Sequence, residues 1–331
     1  MLQTVLIYHL NFNFQLILLI LATVKNGALQ YLTPWEKIAL FIALCFLSSL
    51  LFGVLGASVA SPLFGVDVYN YNELSNLANK DAIRTVKMLN FLFHLGTFIL
   101  PSILFAKLGA FEPSDYLLTK KRPQLTPLLI IIALFFAITV LNDWFASINA
   151  KLDLSFISKD LQEEVYYNQA VRDKSIYAYI GSTWRSFGLN IFLLAIIPAI
   201  GEELVFRGVL QNLIAKASQK IHLSVWFTAF LFAFIHFQFM DFLPRFFLGA
   251  AFGYVVILTG KIWYSMILHF LNNALAIFIL FGIRKGFIDE SSWWINFGAV
   301  HLIIALIIGG FAIYTLSENS KINEMKGIYF R

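Results

Sequence analysis

The sequence is poor in the residues that hold soluble and secreted proteins together. Its 331 residues include one cysteine and eight prolines, and only 13% are charged. The cysteine, Cys45, lies in an apolar run. That excludes an intrachain disulfide and counts against a thiolate nucleophile, and no paired-cysteine metal knot exists. A soluble domain carries about 25% charged residues. No basic cluster interleaved with aromatics argues for nucleic acid as a partner. No internal repeat, linker or second folded domain is evident. The first residues lack a basic n-region and a small-residue cleavage site, so no signal peptide is expected. What fills the chain is apolar. Hydrophobic residues make up 59% of it, phenylalanine alone 35 positions, and the mean hydropathy is +0.76. Several runs approach the roughly 20 residues that a spanning helix needs. The expected class is an all-α, polytopic transmembrane helix bundle.

The runs give about eight spans. They lie near Ile38–Phe64, Met88–Leu108, Pro127–Ile148, Phe187–Leu213, Leu223–Met240, Phe242–Leu258, Ile262–Ile283 and Trp293–Leu316. Residues 1–37 read as an apolar lead and entry segment, in which Leu2–Thr23 could form a ninth span despite His9, Asn11, Asn13 and Gln15. Residues 38–331 read as a single membrane-embedded domain with its core at about 187–283. Pro34 after Thr33 signals a helix start, and Pro101 a kink. The stretch Ala150–Arg185 carries Lys159, Asp160, Glu163, Glu164, Arg172 and Asp173 and reads as an amphipathic or extramembrane helix. Lys120, Lys121 and Arg122 are the densest short-loop cluster, which places that loop in the cytoplasm. Alternation then puts Lys216, Lys220, Lys261, Lys321, Lys326 and Arg331 on the same side and Ala150–Arg185 outside. The net charge of +5 is read as membrane-flanking.

Three polar spots interrupt the apolar second half. The first is Glu202-Glu203 with Arg207; the second is His236, read within an almost wholly apolar helix; the third is His269 with Asn273. Asp241 follows at a turn. An ionisable residue at the bilayer centre costs roughly 2.5–3.5 kcal/mol on insertion scales, so each is a functional candidate by default. Glu203 and Arg207 are four residues apart on a helix and can pair, whereas Glu202 points about 100° away and is left for another task. A carboxylate and an imidazole can deprotonate water, and a second imidazole with an amide can donate to a tetrahedral oxyanion. Alternatively, Glu202, His236 and His269 could bind one divalent metal such as zinc and lower the pKa of its water. Either scheme hydrolyses an amide. A lone intramembrane histidine is more often a packing or hydrogen-bonding residue, and that reading is kept for His94 and His301. His222 reads as a solvated loop residue, His9 belongs to the lead, and Asn272 reads as a cap or neighbour contact.

The ordered set of Glu-Glu-x-x-x-Arg, Phe-x-x-x-His and His-x-x-x-Asn on separate apolar helices resembles the CPBP family, the CAAX prenyl endopeptidase and bacteriocin-processing (Abi) proteins. The resemblance covers roughly Phe187–Ile283. It implies an eight-helix intramembrane endopeptidase open to the cytosol and the bilayer. It implies that Glu202 activates water with help from His236, that His269 and Asn273 stabilise the oxyanion or face a metal, and that Glu203 and Arg207 support the motif. The family is commonly described as metalloproteases, while a metal-free glutamate mechanism is also argued for its prenyl-processing members. The few strong ligands here favour glutamate-activated water. The implied partner is a peptide or membrane-protein substrate in the lipid bilayer. The Asn-, Lys- and Phe-rich usage suggests a bacterial inner membrane. Two other classes stand beside this reading, an ion-coupled transporter and a non-catalytic scaffold or bacteriocin-immunity protein on the same fold. The absence of repeats counts against the first, and intact catalytic positions count against the second.

Overall fold

The computed structural model describes residues 27–155, 158–289 and 298–318. The apolar lead with its candidate span and His9, the expected start of the last span at Trp293, and the basic tail at Lys321, Lys326 and Arg331 lie outside the described residues. Among those described, every regular element is helical. Two compact units make up the chain, Met1–Leu117 and Leu118–Arg331.

The first unit is built on two long helices. Helix α1, Pro34–Phe64, starts where its sequence says it should. Thr33 and Glu36 form a reciprocal capping box, Pro34 occupies the first turn, and Gly65 ends the helix with φ 65°. A capping box satisfies two orphan N–H groups at once, and glycine accepts the left-handed cap without strain. Few of its side chains are buried (Phe41 is one), and leucines such as Leu47, Leu50 and Leu51 remain exposed. Helix α2 spans Lys80–Gly109. It begins about two turns before the expected apolar run because Asn79 caps it through Asp81 and Arg84 pairs with Asp81 at 2.7 Å. A wide turn at Leu95–Ile99 precedes Pro101. A Cβ on Gly96 in that turn would stand 2.4 Å from Phe52, so glycine there lets α1 and α2 approach closely.

The second unit holds seven helices: α3 at Leu125–Asn149, α4 at Lys159–Ile180, α5 at Trp184–Ser218, α6 at Ile221–Phe234, α7 at Phe242–Thr259, α8 at Ile262–Lys285 and α9 at Ala299–Glu318. Among the described residues, seven helices are long and apolar enough to span, and α6, at 14 residues, is an eighth, shorter apolar helix. The bundle thus matches the expected count of about eight. The mixed-charge stretch forms α4, capped by Ser158 on Leu161 N–H, with most of its side chains exposed. A core of Ile131 and Leu134 from α3, Phe252 from α7, Leu268 from α8 and Leu316 from α9 fills the middle of this unit.

Helix α5 is interrupted twice. Wide π-type turns at Ile191–Ile196 and Leu204–Leu210 flank the segment Ile197–Glu203. Ile197 N–H reaches back five residues to Phe192, and Gln211 N–H five residues to Phe206. The first wide turn lies just before Pro198. Proline lacks the N–H that would bond four residues back, so the turn ahead of it opens. Such turns are rare and occur most often at functional sites.

Candidate active site

Among the described residues, the buried carboxylates and guanidinium of the second unit, Glu202, Glu203 and Arg207, all lie on α5. Glu203 and Arg207 are fully buried and paired at 2.7 Å. The other guanidinium edge donates to Gly249 O on α7 at 2.7 Å. Gln211, one turn further and also fully buried, donates to Gly253 O at 3.3 Å. Gly249 and Gly253 are four apart and leave their backbone open. A Cβ on Gly253 would stand 2.7 Å from Gln211 Oε1, and one on Gly249 3.1 Å from the Ala229 backbone on α6. Small residues at this spacing let membrane helices approach until carbonyls can accept interhelical bonds. Three aromatic rings surround the cation: Phe232, Phe252 and Phe206 lie 4.9, 5.3 and 5.9 Å from Arg207 Cζ. Arg207 Nε has no hydrogen-bond partner among the described residues, so ring faces are what that part of the buried cation meets.

The second carboxylate oxygen of Glu203 accepts the Ser265 hydroxyl of α8. His269, one turn further along α8, places Nδ1 3.0 Å from Glu203 Oε1. Its other nitrogen, Nε2, faces Glu202 Oε2 at 3.8 Å. The ring is held by stacking on Phe252, with centroids 5.0 Å apart, and by the edge of Phe232. His269 therefore lies between two carboxylates that are adjacent in sequence, and Glu202 is buried like Glu203. The separation of tasks expected for the two glutamates is less complete than helical geometry alone implies, because both reach the same imidazole. Asn273, a further turn along, donates to Leu194 O at 3.4 Å, inside the first wide turn of α5, and accepts from Asn272.

His236 corrects the sequence reading in one respect. It does not lie within a helix: α6 ends at Phe234, and Phe237 takes a left-handed φ of 50°. The chain turns there, and a short 3-10 turn, Phe239–Asp241, leads into α7. His236 Nδ1 lies 2.6 Å from Phe232 O. A carbonyl only accepts, so Nδ1 carries the proton and Nε2 is the accepting nitrogen. Phe232 touches both imidazoles, at centroid distances of 5.1 Å to His236 and 5.9 Å to His269. The charges of Glu202, Arg245 and His269 all act on His236. His236 lines a recess of about 280 Å³ whose other wall is α4, with Asn168, Gln169 and Arg172. Arg172 reaches Asp241 at 2.7 Å, and Arg245 joins the same carboxylate at 3.5 Å.

The remaining histidines divide as expected in one case and not in another. His94 packs on Phe93 and Phe98 and lies 2.9 Å from Asn90 O, a structural arrangement. His222 is exposed, yet it belongs to the first turn of α6 and lies 3.0 Å from the Tyr254 hydroxyl. Four site residues were missed from sequence: Gln211, Ser265, Gly249 and Gly253. The signal was present. Glu203, Arg207 and Gln211 recur every fourth residue, as do Ser265, His269 and Asn273, so each set marks one polar stripe. Among the described residues, no three His, Cys, Asp or Glu side chains gather as a metal-ligand set. The expected Glu202, His236 and His269 triad is not among such groups.

Comparison with known proteins now has a site to refer to. Residues 184–275 match the family model described as type II CAAX prenyl endopeptidase Rce1-like, a stretch that contains Glu202, Glu203, Arg207, His236, His269 and Asn273. No curated protein and no solved structure matches the chain. Residues 184–275, a minority of the chain, are thus similar to the Rce1-like type II CAAX prenyl endopeptidases.

Proposed function

We propose that this chain is an intramembrane endopeptidase that hydrolyses a peptide bond with a water molecule activated by Glu202. The observation that carries the reading is His269 held between Glu203 Oε1 and Glu202 Oε2, at 3.0 and 3.8 Å. Arg207 balances Glu203, so that carboxylate accepts the Nδ1 proton of His269 and leaves Nε2 as a lone pair facing Glu202. Nε2 of His269 and Oε2 of Glu202 stand where one water can donate a proton to each, and the oxygen of that water is then activated to attack a carbonyl. In this scheme the water proton passes to Glu202 as the oxygen adds to the scissile carbon. The Asn273 amide donates to the oxyanion. His236, fixed through Nδ1, assists at Nε2 in moving the proton to the leaving amine. Ser265 and Arg207 hold Glu203, and Glu203 orients His269. No step is routed through a metal.

The substrate is a peptide or membrane protein presented from the bilayer. The loops carrying Lys120, Lys121, Arg122, Lys216, Lys220 and Lys261 favour a cytoplasmic placement of that end of the bundle, in a bacterial inner membrane. The test is cleavage of a panel of quenched, lipid-anchored peptides by the purified full-length protein in nanodiscs. Wild-type protein should cleave at least one of them, and Glu202→Gln should reduce the rate by about 10²–10⁴ while leaving the melting temperature in place. Full activity in Glu202→Gln overturns the assignment.

A further inference from the structure

A further concave feature of the second unit lies apart from the active site. A groove of about 890 Å³ opens between α3, α7 and α9, at the upper end of the volumes typical of small-molecule sites. Its walls are apolar and its middle is kept open by small side chains. A Cβ on Gly309 would stand 3.6 Å from the Ala137 Cβ of α3, whereas a Cβ on its neighbour Gly310 would meet nothing within 4 Å. One end is polar: Gln219, with φ 56°, and His222, bonded to Tyr254 OH, line it there.

That polar end is where three loops converge. The loop at 118–124 is tied to the start of α8 by Ile262 N–H to Leu118 O, by Trp263 Nε1 to Thr119 O and by Lys261 Nζ to Arg122 O. The loops at 216–221 and 259–262 adjoin Gln219 and Leu258 of the groove. Together they carry Lys120, Lys121, Arg122, Lys216, Lys220 and Lys261, and no acidic residue. The nearest described acid on α9 is Glu318, which accepts the Tyr314 hydroxyl. Burial, and after it the like charge of Lys121, lowers the pKa of Lys261. An apolar channel whose end adjoins loops rich in basic side chains, at a membrane boundary, fits a ligand with a long hydrocarbon tail and an anionic head.

We infer that this groove is a binding site for one anionic phospholipid. Its acyl chains lie along Ala137, Ala251 and Gly310, and its phosphate lies at His222, Lys220 and Lys261. The site is on the α3–α9 side of the bundle and contains none of the residues assigned to hydrolysis.

The test uses the full-length protein purified in mild detergent and exchanged into vesicles of equal phosphatidylglycerol and phosphatidylcholine. Lipid retained after re-extraction is counted by native mass spectrometry. One phosphatidylglycerol per chain should be retained about tenfold over phosphatidylcholine. The double variant Lys220→Ala with Lys261→Ala should lose about 25-fold in that affinity, taking roughly fivefold per cation at an anionic surface, and its melting temperature in zwitterionic detergent should not move. Gly310→Leu fills the groove without a clash and should cut retention of the lipid several-fold. Equal retention of the two lipids, or phosphatidylglycerol retention unchanged in both variants, overturns the site. A concentration-dependent dimer that carries no lipid and is abolished by Gly310→Leu would likewise overturn it, showing a second copy as the occupant.

Discussion

Helices α1 and α5 are of similar length, 31 and 35 residues, and both read as apolar runs, yet they are built for opposite surroundings. In the most apolar window of α1 only 6% of residues are buried, against 67% in that of α5. Helix α1 is unbroken from its capping box to Gly65, and leucines and isoleucines stand exposed along it. Helix α5 contains two wide turns and a file of buried polar groups, Glu203, Arg207 and Gln211. The difference shows what a charge requires in hydrocarbon: a guanidinium must have carboxylate, carbonyl and ring faces supplied from neighbouring helices before the run that carries it can insert. Helix α1 has no such company and carries no charge in its middle.

That contrast can be attacked directly. The largest effect is expected for Arg207→Met. It leaves Glu203 as a buried charge without its counterion, a change that costs about 3–5 kcal/mol in comparable settings. Thermal unfolding in detergent should show a large fall. The double variant Glu203→Gln with Arg207→Met should recover a substantial part of the stability but not the peptidase activity. If the single variant unfolds at the wild-type temperature, the ion pair is not what holds α5 in place.

A middle-sized effect should separate glycines of the two regions. Gly253→Ala drives a Cβ to 2.7 Å from Gln211 Oε1 and 2.9 Å from Val225. Overpacking of this kind costs about 1–3 kcal/mol. Gly53→Ala on α1 meets nothing within 4 Å, and alanine exceeds glycine in helix propensity by up to about 1 kcal/mol. The first should lower the melting temperature and the second hold or raise it. Matching losses would mean that the two helices are equally enclosed.

The smallest effect is reserved for Ser265→Ala. Its hydroxyl reaches Glu203 across 62 residues of sequence, and interhelical hydrogen bonds in membranes average only about 0.6 kcal/mol. Stability should barely change. Activity should fall by less than tenfold, with the pH profile of kcat displaced relative to wild type, since Glu203 orients His269. An unchanged profile would make Ser265 a packing residue.

Much of this architecture was legible from residues alone. Apolar runs near 20 residues found the long helices because hydrocarbon thickness dictates their length. Glu203 and Arg207 paired as their spacing required. The fate of His236 was less readable. Nothing in Phe232–Met240 is a helix breaker by composition, and the turn arises where Phe237 adopts a left-handed backbone and the imidazole takes the Phe232 carbonyl. The convergence of both glutamates on His269 was also hidden, because helical spacing assumes regular turns while α5 has two irregular ones. Gln211 and Ser265 were within reach of the fourfold periodicity, but uncharged polar residues in apolar runs draw less notice than charges do.

The wide turns of α5 have a consequence for how this chain can vary. Each holds one residue more than a regular turn needs, so removal of a single residue from Leu204–Leu210 could be absorbed by local tightening with little loss of helical hydrogen bonding. The helix beyond the tightened turn would keep its orientation, but a deletion at Val205 or Phe206 would leave Arg207 three residues rather than four from Glu203 and out of line with the Gly249 carbonyl that receives it. Shortened descendants of this chain could thus keep the scaffold while silencing the chemistry.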